Sequence, residues 1–146
     1  MATLIGDGGH ARDIIATVKI DGQYVHHSRL PRDFPRGEFA SVIIAINDPR
    51  VRAAVALQLG VKDHDWVHPT AHIGPGCLWS GGTHVNYGVT MTRTTLGHHC
   101  TISPGVTICG DVTIGDRTLI GAGAVICDRV TIGSDVTIGA GTIILP

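Results

Sequence analysis

Nine of the 146 residues are histidine. Imidazole is the side chain best suited to moving protons near neutral pH, and it also ligates zinc. His98 and His99 are adjacent and close the stretch NYGVTMTRTTLGHH. Either could take a proton from an attacking amine or hydroxyl. The alternative is that both are turn residues, or residues packed at an interface. His84 is a third candidate for the same chemistry. Zinc needs about three imidazoles converging within about 2.1 Å of the metal. The spacing of His68, His72, His84, His98 and His99 selects no such set, and no metal is expected. A second constellation opens the chain. Gly6, Asp7, Gly8, Gly9 and His10 follow the apolar triplet TLI, and Gly6, Gly8 and Ala11 form G-x-G-x-x-A. Backbone amides at such a strand-to-helix turn suit a phosphate or diphosphate. The same turn serves equally well as a bare scaffold connection.

Two rhythms must position these residues. Residues 1–65 alternate strand and helix. TLI (Thr3–Ile5) reads as a strand, HARDIIATVK has helical apolar spacing, and QYV reads as a second strand. SVIIAI (Ser41–Ile46) reads as a third strand buried on both faces. NDPRVRAAVALQLG predicts a helix with Asp48 as N-cap, Pro49 first and Gly60 as its stop. From Val67 the period changes to six: VHPTAH, IGPGCL, WSGGTH, VNYGVT, then MTRTT, LGHHCT, ISPGVT and on to IGAGTI. The first position is always apolar, and the second is often glycine. A helix cannot hold period six on one face. Short strands joined by tight turns, three hexads to a coil, account for the pattern. Stacked coils lie about 4.8 Å apart. One hexad, MTRTT, is a residue short.

Eighteen residues per coil bring i and i+18 together. Asp111 is then expected beside Arg129, and Arg117 beside Asp135, as an exposed ladder. Cys109 and Cys127 are also in register. Stacked reduced thiols are expected there, although the distance alone also permits a disulfide.

Composition excludes several classes. The net charge is −1, and no run of Lys or Arg offers a nucleic-acid or anionic-membrane surface. No apolar run approaches the roughly 20 residues that span a bilayer, and the N-terminus lacks the order of a signal peptide. Four cysteines without paired CxxC spacing are expected to be reduced, in a soluble cytoplasmic protein.

The hexads resemble those of the hexapeptide-repeat acyltransferases. LIGDGGHARDI, VIIAINDPRVRAAV, VHPTAHIGPG and ISPGVTICGDVTIGDRTLIGAGAVI resemble segments of the sialic-acid and bacillosamine type of sugar O- and N-acetyltransferases. The resemblance implies an α/β N-terminal subdomain (1–65) followed by a left-handed parallel β-helix (66–146), assembled as a homotrimer. It implies acetyl-CoA as co-substrate and a nucleotide sugar as acceptor. Gly6, Asp7, Gly8, Gly9, His10 and Asn47 would hold the acceptor, and Thr101, Ala122 and Ala140 the cofactor. The family's catalytic histidine falls on the short hexad, where this chain has Thr92 and Arg93. Threonine is too weak a base, and arginine stays protonated. The base would then be His98, His99 or His84. His26 to Ser28 stand where the family has acidic residues for the nucleoside. Relatives also continue beyond IGAGTIILP, so a partner would cover Ile143 to Leu145, or the chain is a reduced form. Two other readings follow: a trimeric binding or structural protein that has lost transfer chemistry, and a zinc enzyme like the β-helix carbonic anhydrases.

Overall fold

The computed structural model describes residues 3–6, 10–12, 14, 24–25 and 42–146. Strands β1 (Thr3–Ile5), β2 (Tyr24–Val25) and β3 (Val42–Ile44) form a parallel sheet in the order β2-β1-β3. Residues 10–12 and 14 are helical. β3 is buried along its length, as an apolar strand covered on both faces requires. Ile5, Val42 and Ile44 pack with Val55, Ala56 and Leu59 on one side of the sheet. Ala11, Ile14, Ile43 and Ala45 pack with Trp66 on the other. At Gly6 the backbone runs at φ 141, and a Cβ there would stand 2.6 Å from the Ala45 carbonyl oxygen. Glycine is required by both conformation and contact.

Helix α1 (Pro49–Leu59) starts and stops where its sequence predicts. The Asp48 carboxylate accepts the backbone N–H groups of Arg50 and Val51, Pro49 is first, and Gly60 ends the helix at φ 64. Its buried stripe is Pro49, Arg52, Val55, Ala56 and Leu59. No described helix is long and apolar enough to cross a membrane.

From Trp66 the chain winds as a left-handed parallel β-helix with three strand-lined faces. One face stacks Trp66–Val67, His84–Val85, Thr101–Ile102, Leu119–Ile120 and Thr137–Ile138. First-position residues point inward from all three faces: Val85, Met91, Leu96, Ile102, Ile108, Ile114, Ile120 and Ile126 are each at most 1 % exposed. The fifth position also faces inward, through Val89, Cys100, Val106, Val112, Ala124 and Val130. Small side chains there let the three faces close on one another.

The short hexad is absorbed at one corner. Ile73 pairs with Met91, a step of 18, whereas Met91 pairs with Ile108, a step of 17. From Thr94 the step to Val112 is again 18. The lost residue therefore lies between Met91 and the strand that begins at Thr94. From Gly76 onward the corners take left-handed φ. Gly88, Gly105, Gly123 and Gly141 form one column, Arg93, Asp111 and Arg129 another, and His99, Arg117 and Asp135 a third.

Arg117 forks onto Asp135, with Nε and Nη2 each 2.7 Å from a carboxylate oxygen. The other expected pair is different. Asp111 bonds Arg93, Nε to Oδ1 at 3.0 Å, rather than Arg129. It stands between two arginines in one column, and Arg93 reaches it by lying across Gly110, which has no Cβ in the way. All four cysteines are free.

Candidate functional site

The N-terminal unit meets the β-helix along a seam organised by Arg52. This guanidinium rises from the apolar stripe of α1 and has no exposed surface. Its Nε donates to the Gly82 carbonyl at 3.1 Å, and Nη1 donates to the Ile46 carbonyl at 2.8 Å and to Thr101 Oγ1 at 2.9 Å. Nη2 donates to the carbonyls of His99 (2.7 Å) and Cys100 (2.9 Å). All five N–H donors are thus satisfied. Burial brings its pKa down to about 10, opposed by the charge of Asp63, so it remains a cation at neutral pH. Asp63 Oδ2 lies 3.3 Å from Arg52 Nε, with both side chains buried. Asp63 Oδ1 accepts the Ile44 backbone N–H at 2.9 Å. Oδ2 makes no hydrogen bond, because the Arg52 Nε hydrogen goes to Gly82. Burial pushes the Asp63 carboxyl up, against the lowering influence of His99, the Ile44 N–H and Arg52.

The histidines divide between two settings. His84 is fully buried, and its Nδ1 lies 2.8 Å from Nε2 of His10. One of these nitrogens carries the shared proton. Trp66 stands edge-on to both rings, with centroids 5.2 Å from His10 and 6.1 Å from His84. His68 then leads from Trp66 to the half-exposed Tyr87, at 5.8 Å in each contact. His84 Nε2 is buried without a hydrogen-bond partner. Burial holds the His84 pKa well below the usual imidazole range, helped by the Arg52 cation and the neighbouring imidazoles of His10 and His99.

His99 takes the left-handed corner at φ 55. Its Nδ1 is 3.5 Å from Asp63 Oδ2, and its side chain keeps 20 % exposure. The ring lies against Gly82, where a Cβ would overlap Nδ1. His98 is exposed, and its backbone N–H donates to Asp116 Oδ1 at 2.8 Å. A cavity of about 400 Å³ opens here, walled by Lys62, Asp63, His64, Asp65, His98 and His99.

The other expected residues are distributed as follows. Thr101 has no exposed surface. Its hydroxyl donates to the Asn47 carbonyl at 2.9 Å and accepts from Arg52, which places it inside the seam and away from any outer groove. Asn47 is exposed. Ala122 and Ala140 are exposed and stacked at one corner, where the Gly141 N–H donates to the Ala122 carbonyl at 2.9 Å. Gly6 is placed at the strand end, and His10 reaches the buried pair. Asp7, Gly8, Gly9 and the segment His26 to Ser28 lie outside the described residues. Thr92 Oγ1 reaches only the Pro75 carbonyl, at 3.4 Å, and Arg93 is held by Asp111. Neither offers a base. Among the described residues no three His, Cys, Asp or Glu side chains gather to hold a metal ion, so the histidines weighed for zinc do not converge.

Sequence reading missed Arg52 and Asp63. The signal for Arg52 was present. It occupies the i, i+3, i+4, i+7 stripe with Pro49, Val55, Ala56 and Leu59, where a charge is unexpected.

Comparison with known proteins bears on the whole chain. Residues 93–128 and 111–146 match the bacterial transferase hexapeptide (six repeats) model. No curated protein sequence matches the chain. Among solved structures, a histidine-to-asparagine variant of perosamine N-acetyltransferase from Caulobacter crescentus, in complex with CoA and GDP-perosamine, superposes with TM-score 0.71. Identity is 24 %, over 99 % of this chain and 88 % of that one. The acetyltransferase domain of PglB from Neisseria gonorrhoeae, in complex with acetyl coenzyme A, gives TM-score 0.69 at 24 % identity, over 98 % and 91 %. WeeI from Acinetobacter baumannii gives 0.55 at 16 %, over 98 % and 95 %. The hexapeptide match thus spans residues 93–146, and the chain shares its fold with the perosamine N-acetyltransferase and the PglB acetyltransferase domain.

Proposed function

We propose that the protein transfers an acetyl group from acetyl-CoA to an amine or hydroxyl of a sugar, carried on a nucleotide, and that it works as a homotrimer. The observation that carries this reading is that one fold accounts for both halves of the chain. The transferase hexads are joined to a small parallel sheet in the arrangement shared with enzymes crystallised with CoA or acetyl-CoA and, in one case, GDP-perosamine. In this reading residues 1–65 hold the acceptor and residues 66–146 the acyl donor. Gly6, Asp7, Gly8, Gly9, His10 and Asn47 would hold the acceptor, and the exposed Ala122–Ala140 corner would take the pantetheine arm.

A second reading has one observation in its favour. The corner where the resemblance places the base holds Thr92 and the Arg93–Asp111 pair, so a trimer that binds ligands without transfer chemistry would have the same sequence there. Calorimetry with acetyl-CoA and a panel of nucleotide-linked amino sugars, followed by release of CoA thiol, separates the two. Transfer predicts acetyl-CoA binding and thiol release that depends on one sugar. Absence of acetyl-CoA binding at millimolar concentration removes the enzyme reading. Binding without sugar-dependent release favours the second.

A further inference from the structure

We infer that His99, oriented by Asp63, is the general base of this chain, and that the cavity beside it receives the acceptor's amine or hydroxyl. The inference rests on the acetyltransferase reading and goes beyond it by naming a base, its positioning residue and the pocket they serve.

Three histidines can be weighed on geometry. His84 has no exposed surface, so no acceptor reaches it without opening the seam. His98 is exposed, but Asp116, the carboxylate beside it, accepts its backbone N–H. His99 alone combines access with an orienting carboxylate. Its Nδ1 is buried and faces Asp63 Oδ2 at 3.5 Å. Its Nε2 makes no hydrogen bond and is not among the buried unpartnered atoms, which leaves it on the exposed side of the ring, at the cavity wall. A carboxylate behind one nitrogen fixes the tautomer and leaves the other nitrogen as the proton acceptor. The 3.5 Å spacing is long for a hydrogen bond, but such contacts commonly tighten only when substrate is bound.

The surroundings hold this arrangement in place. Asp63 is gripped at Oδ1 by the Ile44 N–H and flanked by Arg52. The His99 carbonyl is bound by Arg52 Nη2, and the bare Cα of Gly82 provides the seat for the ring. The charged and titratable groups facing His99 are Asp63 and Arg52 behind it, and Lys62, His64, Asp65 and His98 around the cavity. The proton count closes. His99 Nε2 takes the acceptor's N–H or O–H proton as the new C–N or C–O bond forms at the thioester carbonyl. The C–S bond breaks, its electron pair leaves on sulfur, and the imidazolium returns its proton to the thiolate.

The decisive variant is His99→Gly. Glycine suits φ 55, and Gly82 occupies the same corner of the preceding coil, so the fold is expected to survive. Acetyl-CoA affinity by calorimetry should be unchanged and kcat should fall by about 10²–10⁴-fold. Added imidazole should restore part of the rate. In Asp63→Asn, kcat should fall with KM for acetyl-CoA unchanged. If Asp63→Asn does not fold, the imidazole arm still decides. Undiminished turnover in His99→Gly, or no rescue by imidazole, overturns the inference while leaving the acetyltransferase reading intact. A wild-type protein that binds no acetyl-CoA overturns both.

Discussion

Replacing Arg52 by methionine removes a buried cation and takes from Asp63 its buried guanidinium counter-ion. Removing one partner of a buried pair costs about 3–5 kcal/mol. The carbonyls of Ile46, Gly82, His99 and Cys100 lose their side-chain donor at the same time, although water entering the seam offsets part of that loss. We take about 4 kcal/mol for the whole change. For a chain of this size each kcal/mol lowers the melting midpoint by roughly 3–4 °C, so Arg52→Met should melt about 12–16 °C below wild type. Protein concentration must be held fixed, because subunit association shifts apparent stability by mass action. The cycle with Asp63 isolates the pair. Asp63→Leu alone leaves Arg52 buried without its counter-ion and should also be costly. The double variant should be less destabilised than the sum of the singles, because an apolar replacement of both partners leaves no orphaned charge. Calorimetric melts of the four proteins test this. An Arg52→Met midpoint close to wild type, or strict additivity in the cycle, would refute the claim that this guanidinium joins helix α1 to the β-helix.

Two other outcomes are expected. His84 is neutral in its burial, with a folded pKa below its unfolded value, so it contributes stability at neutral pH that is lost as pH falls from about 6.5 toward the folded value. The slope is at most about 1.4 kcal/mol per pH unit, and His84→Gln should flatten the acid limb of the melting curve between pH 7 and 5; an unchanged limb would assign it to other groups. Thiol titration of the denatured protein without reductant should count four free thiols, because the four cysteines are unpaired; a count of two would mean that Cys109 and Cys127 have joined.

The β-helix was legible because its signal repeats. Each hexad states again that the first residue is apolar, and one misread position changes nothing. The cap at Asp48 and the stop at Gly60 were legible for another reason: each depends on a local backbone requirement that few residues meet. The seam was not legible. Arg52, Asp63, Thr101 and His99 are brought together by packing of α1 on the solenoid, and no spacing in the chain encodes that contact. The pairing of Asp111 was misjudged because period alone gives it two arginine neighbours. The choice between them depends on the missing side chain at Gly110.

The short hexad lies just ahead of two adjacent corners with different contents. Arg93 takes the left-handed corner position, 18 residues before Asp111 and in one column with it. Both residues follow the lost position, so their register is the ordinary one of 18 residues. The fault and the ion pair are neighbours, and together they occupy the corner where the resemblance expects a histidine. The correction is complete by Thr94, so the next corner keeps its normal geometry. There the left-handed position is filled by His99, with a buried carboxylate behind it and open space in front. A general base needs only those two conditions and a rigid support, and in this chain they coincide one corner beyond the fault.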